Sequence, residues 1–188
     1  MAVFLVSEAC MEVKGKEVIF LTTLDSQKAF DVVNHQILLD QLYFLRLDTE
    51  YWTIMEDLYT GLTSTVKWQG GTSLSFQIDQ GVRQGGVLST HLYKNYINEL
   101  QANREDHNIG VFISNTYVGC LTCVDDTVLL SDNNDDMPEM LNRVYIYSSD
   151  HRFLIHPVKS NTIIKSSSKQ TSTQIREAGE ILKLEMKI

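Results

Sequence analysis

The sequence predicts an α+β domain in which one antiparallel sheet is backed by helices. Three observations carry this. A nearly continuous apolar run, Glu17–Asp25 (EVIFLTTLD), ends on a carboxylate. Two short strand-forming runs, Leu121–Val124 and Thr127–Leu130, flank the adjacent acids Asp125 and Asp126 and read as a hairpin. Between and beyond them lie segments whose apolar residues recur at helical spacing. The chain has 188 residues, 43% hydrophobic and 21% charged, which is enough for one domain with a real core.

Residues 1–16 are weakly patterned and are assigned no role. The run Glu17–Asp25 suits a strand covered on both faces. Asn34 is placed to cap a helix over roughly 35–46, with Ile37, Leu38, Leu42 and Leu45 at helical spacing. Thr49–Gly61 predicts a second helix with Trp52, Met55, Leu58 and Tyr59 inward. Thr65–Ile78 alternates on both sides of Gly70-Gly71, which predicts a hairpin turning on that glycine pair. Gly81, Gly85 and Gly86 then form a glycine-rich loop ahead of an amphipathic helix over about Leu88–Leu100. Such a loop lets backbone N–H groups approach a phosphate, although many are only turns.

Val111–Ile113 predicts a further strand ahead of the acidic hairpin. Asp132–Asp136 reads as a polar loop, and Pro138 falls in the first turn of a helix carrying Met140, Leu141, Val144, Tyr145 and Tyr147. Phe153–Ile155 and Thr162–Ile164 predict a last pair of short strands around HPVKS. Residues 165–188 are low in hydrophobics at first and predict a flexible tail with a helical stub at its end.

Two like charges at a hairpin tip repel, and a tight turn would sooner use Asn-Gly or Asp-Gly. Asp125-Asp126 is therefore either a solvated turn or a divalent-cation site, since hard oxygen ligands are what Mg²⁺ takes. The order of elements brings Asp25 beside the pair on a neighbouring strand. Three clustered carboxylates do not all ionise cheaply without a cation. Two Mg²⁺ ions (with Mn²⁺ as a substitute) would neutralise them and clamp the oxygens of a phosphoryl displacement. Cys120 and Cys123 have metal-like spacing, but no second pair accompanies them and strand positions three apart face opposite ways.

Three cysteines make no disulfide framework, and the N-terminus lacks the basic start and long apolar stretch of a signal peptide. An intracellular location, nucleus or cytoplasm, is the expectation. No apolar run reaches 18 residues, so no membrane partner is expected. The net charge of −8 is the wrong sign for a free-standing nucleic-acid binder.

Four segments in order nevertheless resemble the reverse transcriptases of non-LTR (LINE- or jockey-like) retrotransposons. LDSQKAFDVVNHQILLDQL is similar to that family's first palm motif, and GVRQGGVLSTHLYKNYINEL to its GVxQG segment. CVDDTVLL is similar to its ADD hairpin, and HPVKSNTII to the strand motif that follows. The match runs from about Val18 to Ile164. Cys123, Thr90-His91 and His156 depart from the family's usual residues.

The resemblance implies a polymerase palm with ferredoxin-like (RRM-like) topology over residues 17–164. It implies an RNA-directed DNA polymerase that extends a primer 3′-hydroxyl on an RNA or DNA template with dNTPs. Asp25, Asp125 and Asp126 would be the catalytic acids and metal ligands. Phe30 would lie under the incoming sugar and exclude a 2′-hydroxyl, or be plain core. Gln84 and Gly85 would line the pocket for nucleotide and template. Lys159 would sit near the triphosphate, or be a solvated charge. Asp31 and His35 read as capping and hydrogen-bonding residues, and His151 and His156 as surface residues without partners.

The family's fingers and thumb segments are expected to be largely missing, with 1–16 at most a remnant of the fingers. Such a palm would lack its nucleic-acid clamps, bind primer–template weakly and extend it poorly. The alternative reading is a catalytically inactive retroelement remnant that keeps only the palm fold.

Overall fold

The computed structural model describes residue 8 and residues 18–105, 109–113, 116–123 and 126–166, with side chains at 18–100, 109–113, 116–122 and 126–164. In chain order the elements are β1 (Val18–Asp25), α1 (His35–Phe44), α2 (Thr49–Tyr59), β2 (Thr63–Ser64), β3 (Lys67–Trp68), β4 (Gly71–Thr72), β5 (Phe76–Gln77) and α3 (Val87–Glu105). They continue with β6 (Phe112–Ile113), β7 (Thr116–Tyr117), β8 (Cys120–Cys123), β9 (Asp126–Ser131), α4 (Asp136–Asp150) and β10 (Asn161–Ser166). The chain forms two compact units, one of residues 28–97 and the other of the residues on either side.

The flanking unit is built on a four-stranded sheet in the order β10-β1-β9-β8, each neighbouring pair antiparallel. β1 is central, as its apolar run requires. Successive residues point to opposite faces, and both faces of β1 are covered. Ile19 joins Val111, Val118 and Leu130 in a buried cluster, with Leu21 packed against it. From the other face the buried Thr22 hydroxyl lies 2.8 Å from Thr162 Oγ1 and donates to Met137 Sδ of α4 at 3.2 Å. Met140 and Val144 of α4 are also buried. The polar Thr22 is therefore tolerated in a fully buried position because its hydroxyl is satisfied.

Helix α4 starts where Asp136 is tied down, its carboxylate accepting from Gly110 N–H at 3.0 Å and Asn133 Nδ2 at 3.1 Å. Pro138 falls in its first turn, where a missing N–H costs nothing. Of the residues that the helix carries, Tyr145 is 44% exposed. Phe153–Ile155 is not a strand and does not pair with residues 162–164. Ile155 makes a single bridge to Ser26, while β10 pairs with β1 and runs on to Ser166. A turn closed by the Ser160 N–H bond to the His156 carbonyl, at 3.0 Å, separates the two segments.

In the unit of residues 28–97, Asn34 Oδ1 accepts from Ile37 N–H at 3.1 Å and caps α1 as its sequence predicts. Leu38, Leu39 and Leu42 are buried, but Leu45 lies past the helix end and is 57% exposed. On α2 only Tyr59 is buried, and Leu58 points outward. The β3–β4 hairpin turns one residue earlier than expected. Trp68 pairs with Gly71, leaving Gln69 and Gly70 as the central residues with φ of 47° and 80°. Two positive φ angles in a two-residue loop make a type I′ turn, which carries the twist that paired strands need. β2 and β5 pair beneath this hairpin in sequence. No helix among the described residues is long and apolar enough to cross a membrane.

Candidate active site

Asp25 closes β1, Asp126 opens β9, and the two are register partners. Residues directly opposite on antiparallel strands share a face, with Cβ atoms about 4.5–5.5 Å apart. Two carboxylates in that relation repel. Asp25 is partly screened by Lys159, whose Nζ lies 3.6 Å from Asp25 Oδ2, with the lysine side chain 63% exposed. Lys159 is thus an ion-pair partner rather than an isolated solvated charge. Asp126 is exposed and belongs to the strand rather than to the loop, since Cys123 pairs with it. Asp125 lies outside the described residues, as does Val124.

The backbone of Asp25 is fixed from the segment that carries Lys159. His156 N–H donates to the Asp25 carbonyl at 2.8 Å, and Asp25 N–H donates to Ser160 Oγ at 3.2 Å. His156 has a further role that its sequence context hides. Its Nδ1 faces the N–H groups of Val158 and Lys159 at 3.3 and 3.4 Å, so it accepts and shapes the turn that presents Lys159. His151 is not a free surface histidine either. Its ring stacks on Tyr147 at 3.7 Å and its Nδ1 lies 2.9 Å from the Tyr147 carbonyl.

The other predicted residues gather in the unit of residues 28–97. Phe30, Gln84 and Gly85, together with Gly86, Val87 and Thr90, line an open recess of about 490 Å³. Phe30 is half-buried, its ring 5.4 Å from that of the buried Tyr93. It is therefore neither plain core nor free. The loop 79–86 is clamped to the segment 30–35 along its length. Val82 N–H donates to the Phe30 carbonyl at 2.7 Å, Gly81 N–H to that of Val33 at 2.8 Å, and His35 N–H to that of Asp79 at 3.1 Å. The buried His35 ring adds a contact of 2.8 Å from Nε2 to the Gly81 carbonyl. A carbonyl only accepts, so Nε2 carries the proton. Gly81 is needed here: its φ is +98°, and a Cβ would stand 3.3 Å from the Asp31 carbonyl oxygen.

Burial beneath the same loop raises the hydroxyl pKa of Tyr59 above its ordinary value, and the nearby Arg83 charge opposes that shift. The contacts missed in the sequence are those of Ser160, His156 and Tyr93. A hydroxyl next to Lys159 and an aromatic on α3 were visible, but nothing local names their partners.

The donor set fits a hard divalent cation. Asp25 and Asp126 supply carboxylate oxygens from one sheet face, the hard ligands that Mg²⁺ takes. Among the described residues no group of three His, Cys, Asp or Glu is placed to hold a metal.

The fold class follows from solved structures. The chain is similar to telomerase from Candida tropicalis bound to a TWJ fragment of telomeric RNA, with a TM-score of 0.65, 15% identity, and coverage of 90% of this chain and 29% of that one. The apo telomerase of the same organism gives a TM-score of 0.64 at 14% identity, covering 91% of this chain and 32% of that one. The described elements thus share the fold of a palm-containing portion of those structures.

Sequence comparison narrows the class. The model for "Reverse transcriptase (RNA-dependent DNA polymerase)" matches residues 5–176, and the chain belongs to that family. It is 27% identical over 159 residues to the Pol polyprotein of a type-1 R2 retrotransposable element from Nasonia vitripennis, covering 85% of this chain and 15% of that protein. It is 24% identical over 155 residues to that of the type-2 element R2DM from Drosophila melanogaster, covering 82% and 15%. The resemblance to non-LTR elements read from four motifs is therefore upheld. The chain spans about 15% of the length of these relatives.

Proposed function

We propose that this chain carries the polymerase chemistry of an RNA-directed DNA polymerase, adding dNTPs to a primer 3′-hydroxyl on an RNA or DNA template. The observation that carries this reading is the register pairing of Asp25 with Asp126 at the end of the central strands. The strand order also supports a palm of ferredoxin-like topology over residues 17–164. Numbered by their own sequence, the four strands stand 4-1-3-2, all antiparallel, with α4 between the third and the fourth.

Asp25 and Asp126, with Asp125, are the carboxylates that would hold two divalent cations, Mg²⁺ or Mn²⁺. Such cations, when bound, supply charge neutralisation at the attacking and leaving oxygens. The residues of the chain do the rest. Lys159 brings a cation to the edge of the Asp25 carboxylate, where a triphosphate's charge can share it. Phe30, its ring against that of Tyr93, would lie under the incoming sugar and exclude a 2′-hydroxyl. Gln84 and Gly85 offer the amide and backbone groups of the recess to nucleotide and template. Holding the reactants in line can supply up to about 7–11 kcal/mol of the barrier. An intracellular setting, nucleus or cytoplasm, follows from such a role.

The test is primer extension on an RNA template with dNTPs and Mg²⁺, run with wild type, Asp25→Asn and Asp126→Asn. Elongation that disappears with either substitution supports the reading. Elongation indifferent to both substitutions decides against these carboxylates as the catalytic groups.

A further inference from the structure

We infer that Asp31 is a positioning residue for Gln84, fixing which face of its side-chain amide the nucleotide recess offers to a ligand. The inference rests on reading that recess as nucleotide-binding. Gln84 Nε2 donates to Asp31 Oδ1 at 3.3 Å. An ionised carboxylate has no hydrogen to give, so only the NH₂ end of the amide can face it. The carbonyl Oε1 is then the acceptor that Gln84 keeps for a ligand, and the alternative flipped amide would set oxygen against oxygen.

The backbone around the pair makes the contact a designed one. Phe30 and Val33 accept from Val82 and Gly81, and the Gly81 position sits against the Asp31 backbone, so residues 31 and 84 are held within reach of each other. Both side chains are exposed, so neither supports the core of the unit. A contact between exposed groups at the rim of a recess has no packing role. What it does is lower the conformational freedom of a long, flexible amide before a ligand arrives. Asp31 itself touches no reacting group in this scheme and acts only through Gln84.

The experiment is a titration of the ¹⁵N-labelled chain with dGTP and Mg²⁺, following the backbone amides of Gly85 and Gly86 at the recess. Wild type is expected to show saturable shifts. Asp31→Ala is expected to bind dGTP about 3- to 10-fold more weakly, the worth of one ordinary hydrogen bond. Asp31→Asn can meet either end of the Gln84 amide and no longer dictates its face, so it is expected to bind more weakly than wild type but no more weakly than Asp31→Ala. The Gln84 side-chain amide pair should collapse toward the free-amide position in Asp31→Ala alone, a signal that a fold-supporting role would not move.

Binding by Asp31→Ala equal to wild type overturns the inference while leaving the recess as a nucleotide site. No shift at Gly85 and Gly86 in wild type overturns the nucleotide reading, and this inference with it. Should Asp31→Ala fail to fold, the pair Gln84→Glu and Asp31→Asn/Gln84→Glu decides. The single substitution sets two carboxylates together, whereas the double one restores a donor–acceptor contact at unchanged net charge. Weak binding by the single and recovery by the double supports the assignment, and equal weakness in both refutes it.

Discussion

Replacing Asp126 by Asn should make the metal-free protein more stable, although it removes a proposed catalytic group. Asp25 and Asp126 face each other across paired strands. With charges about 5 Å apart, Coulomb's law gives roughly 0.8 kcal/mol in a water-like medium and about 3 kcal/mol at an effective dielectric of 20. Asp126 is exposed and Asp25 is 29% exposed with Lys159 beside it, so the lower figure governs. A gain of about 0.5–1 kcal/mol is expected in EDTA at low ionic strength, within the range measured for cross-strand charge pairs. Asn keeps the size of Asp while removing its charge. The assay is urea unfolding of both proteins followed by circular dichroism, in EDTA, at 20 mM and at 1 M KCl. At 1 M salt the screening length falls to about 3 Å and the gain should largely vanish. A destabilised variant in EDTA, or a gain that salt leaves untouched, would refute the repulsion on which the cation argument stands.

Three further outcomes follow from particular contacts. Met140 is fully buried on α4, so Met140→Ala should cost about 2–5 kcal/mol in urea unfolding; a loss under 1 kcal/mol would mean that α4 packs loosely. Tyr59 has a raised pKa through burial, so its unfolded form releases the hydroxyl proton first, near pH 10. Stability should therefore hold below about pH 10 and fall as pH rises from there toward the folded value. Tyr59→Phe should flatten that fall in denaturation curves between pH 9 and 11, and an unchanged slope would assign it to other groups. In a primer-extension assay, Phe30→Ala should raise ribonucleotide incorporation relative to deoxyribonucleotide; unchanged discrimination would leave Phe30 as packing against Tyr93 and nothing more.

Local signals explain what could be read from the sequence. The run ending at Asp25 has a strand's composition, and it lies at the sheet centre because its residues suit two covered faces. Asn34 caps α1 through a bond three residues away, a pattern that one short stretch contains in full. The facing of Asp25 and Asp126 follows once the strand order is guessed, since register then leaves few choices.

What could not be read depends on partners distant in sequence or on near-degenerate alternatives. Gln69-Gly70 and Gly70-Gly71 are both acceptable I′ turns, and the register of β3 with β4 decides between them. Phe153–Ile155 has strand composition, but the positive φ of 57° at Arg152 and the turn after it leave room for one bridge only. His151 and His156 satisfy themselves on nearby backbone groups, which gives no residue pattern to recognise. Leu58 had helical spacing in its favour, yet the face it occupies on α2 meets no covering element among the described residues.

The central claim, a divalent-cation site built on Asp25 and Asp126, is tested most directly by Mn²⁺-induced relaxation of backbone amide signals. Sub-stoichiometric Mn²⁺ added to the labelled chain should broaden the amides of residues 24–26, 126 and 127 before any others, with recovery on adding excess Mg²⁺. The Asp25→Asn/Asp126→Asn variant should lose that selectivity. Equal broadening at these positions in wild type and variant, or none in either at millimolar Mn²⁺, would contradict the account.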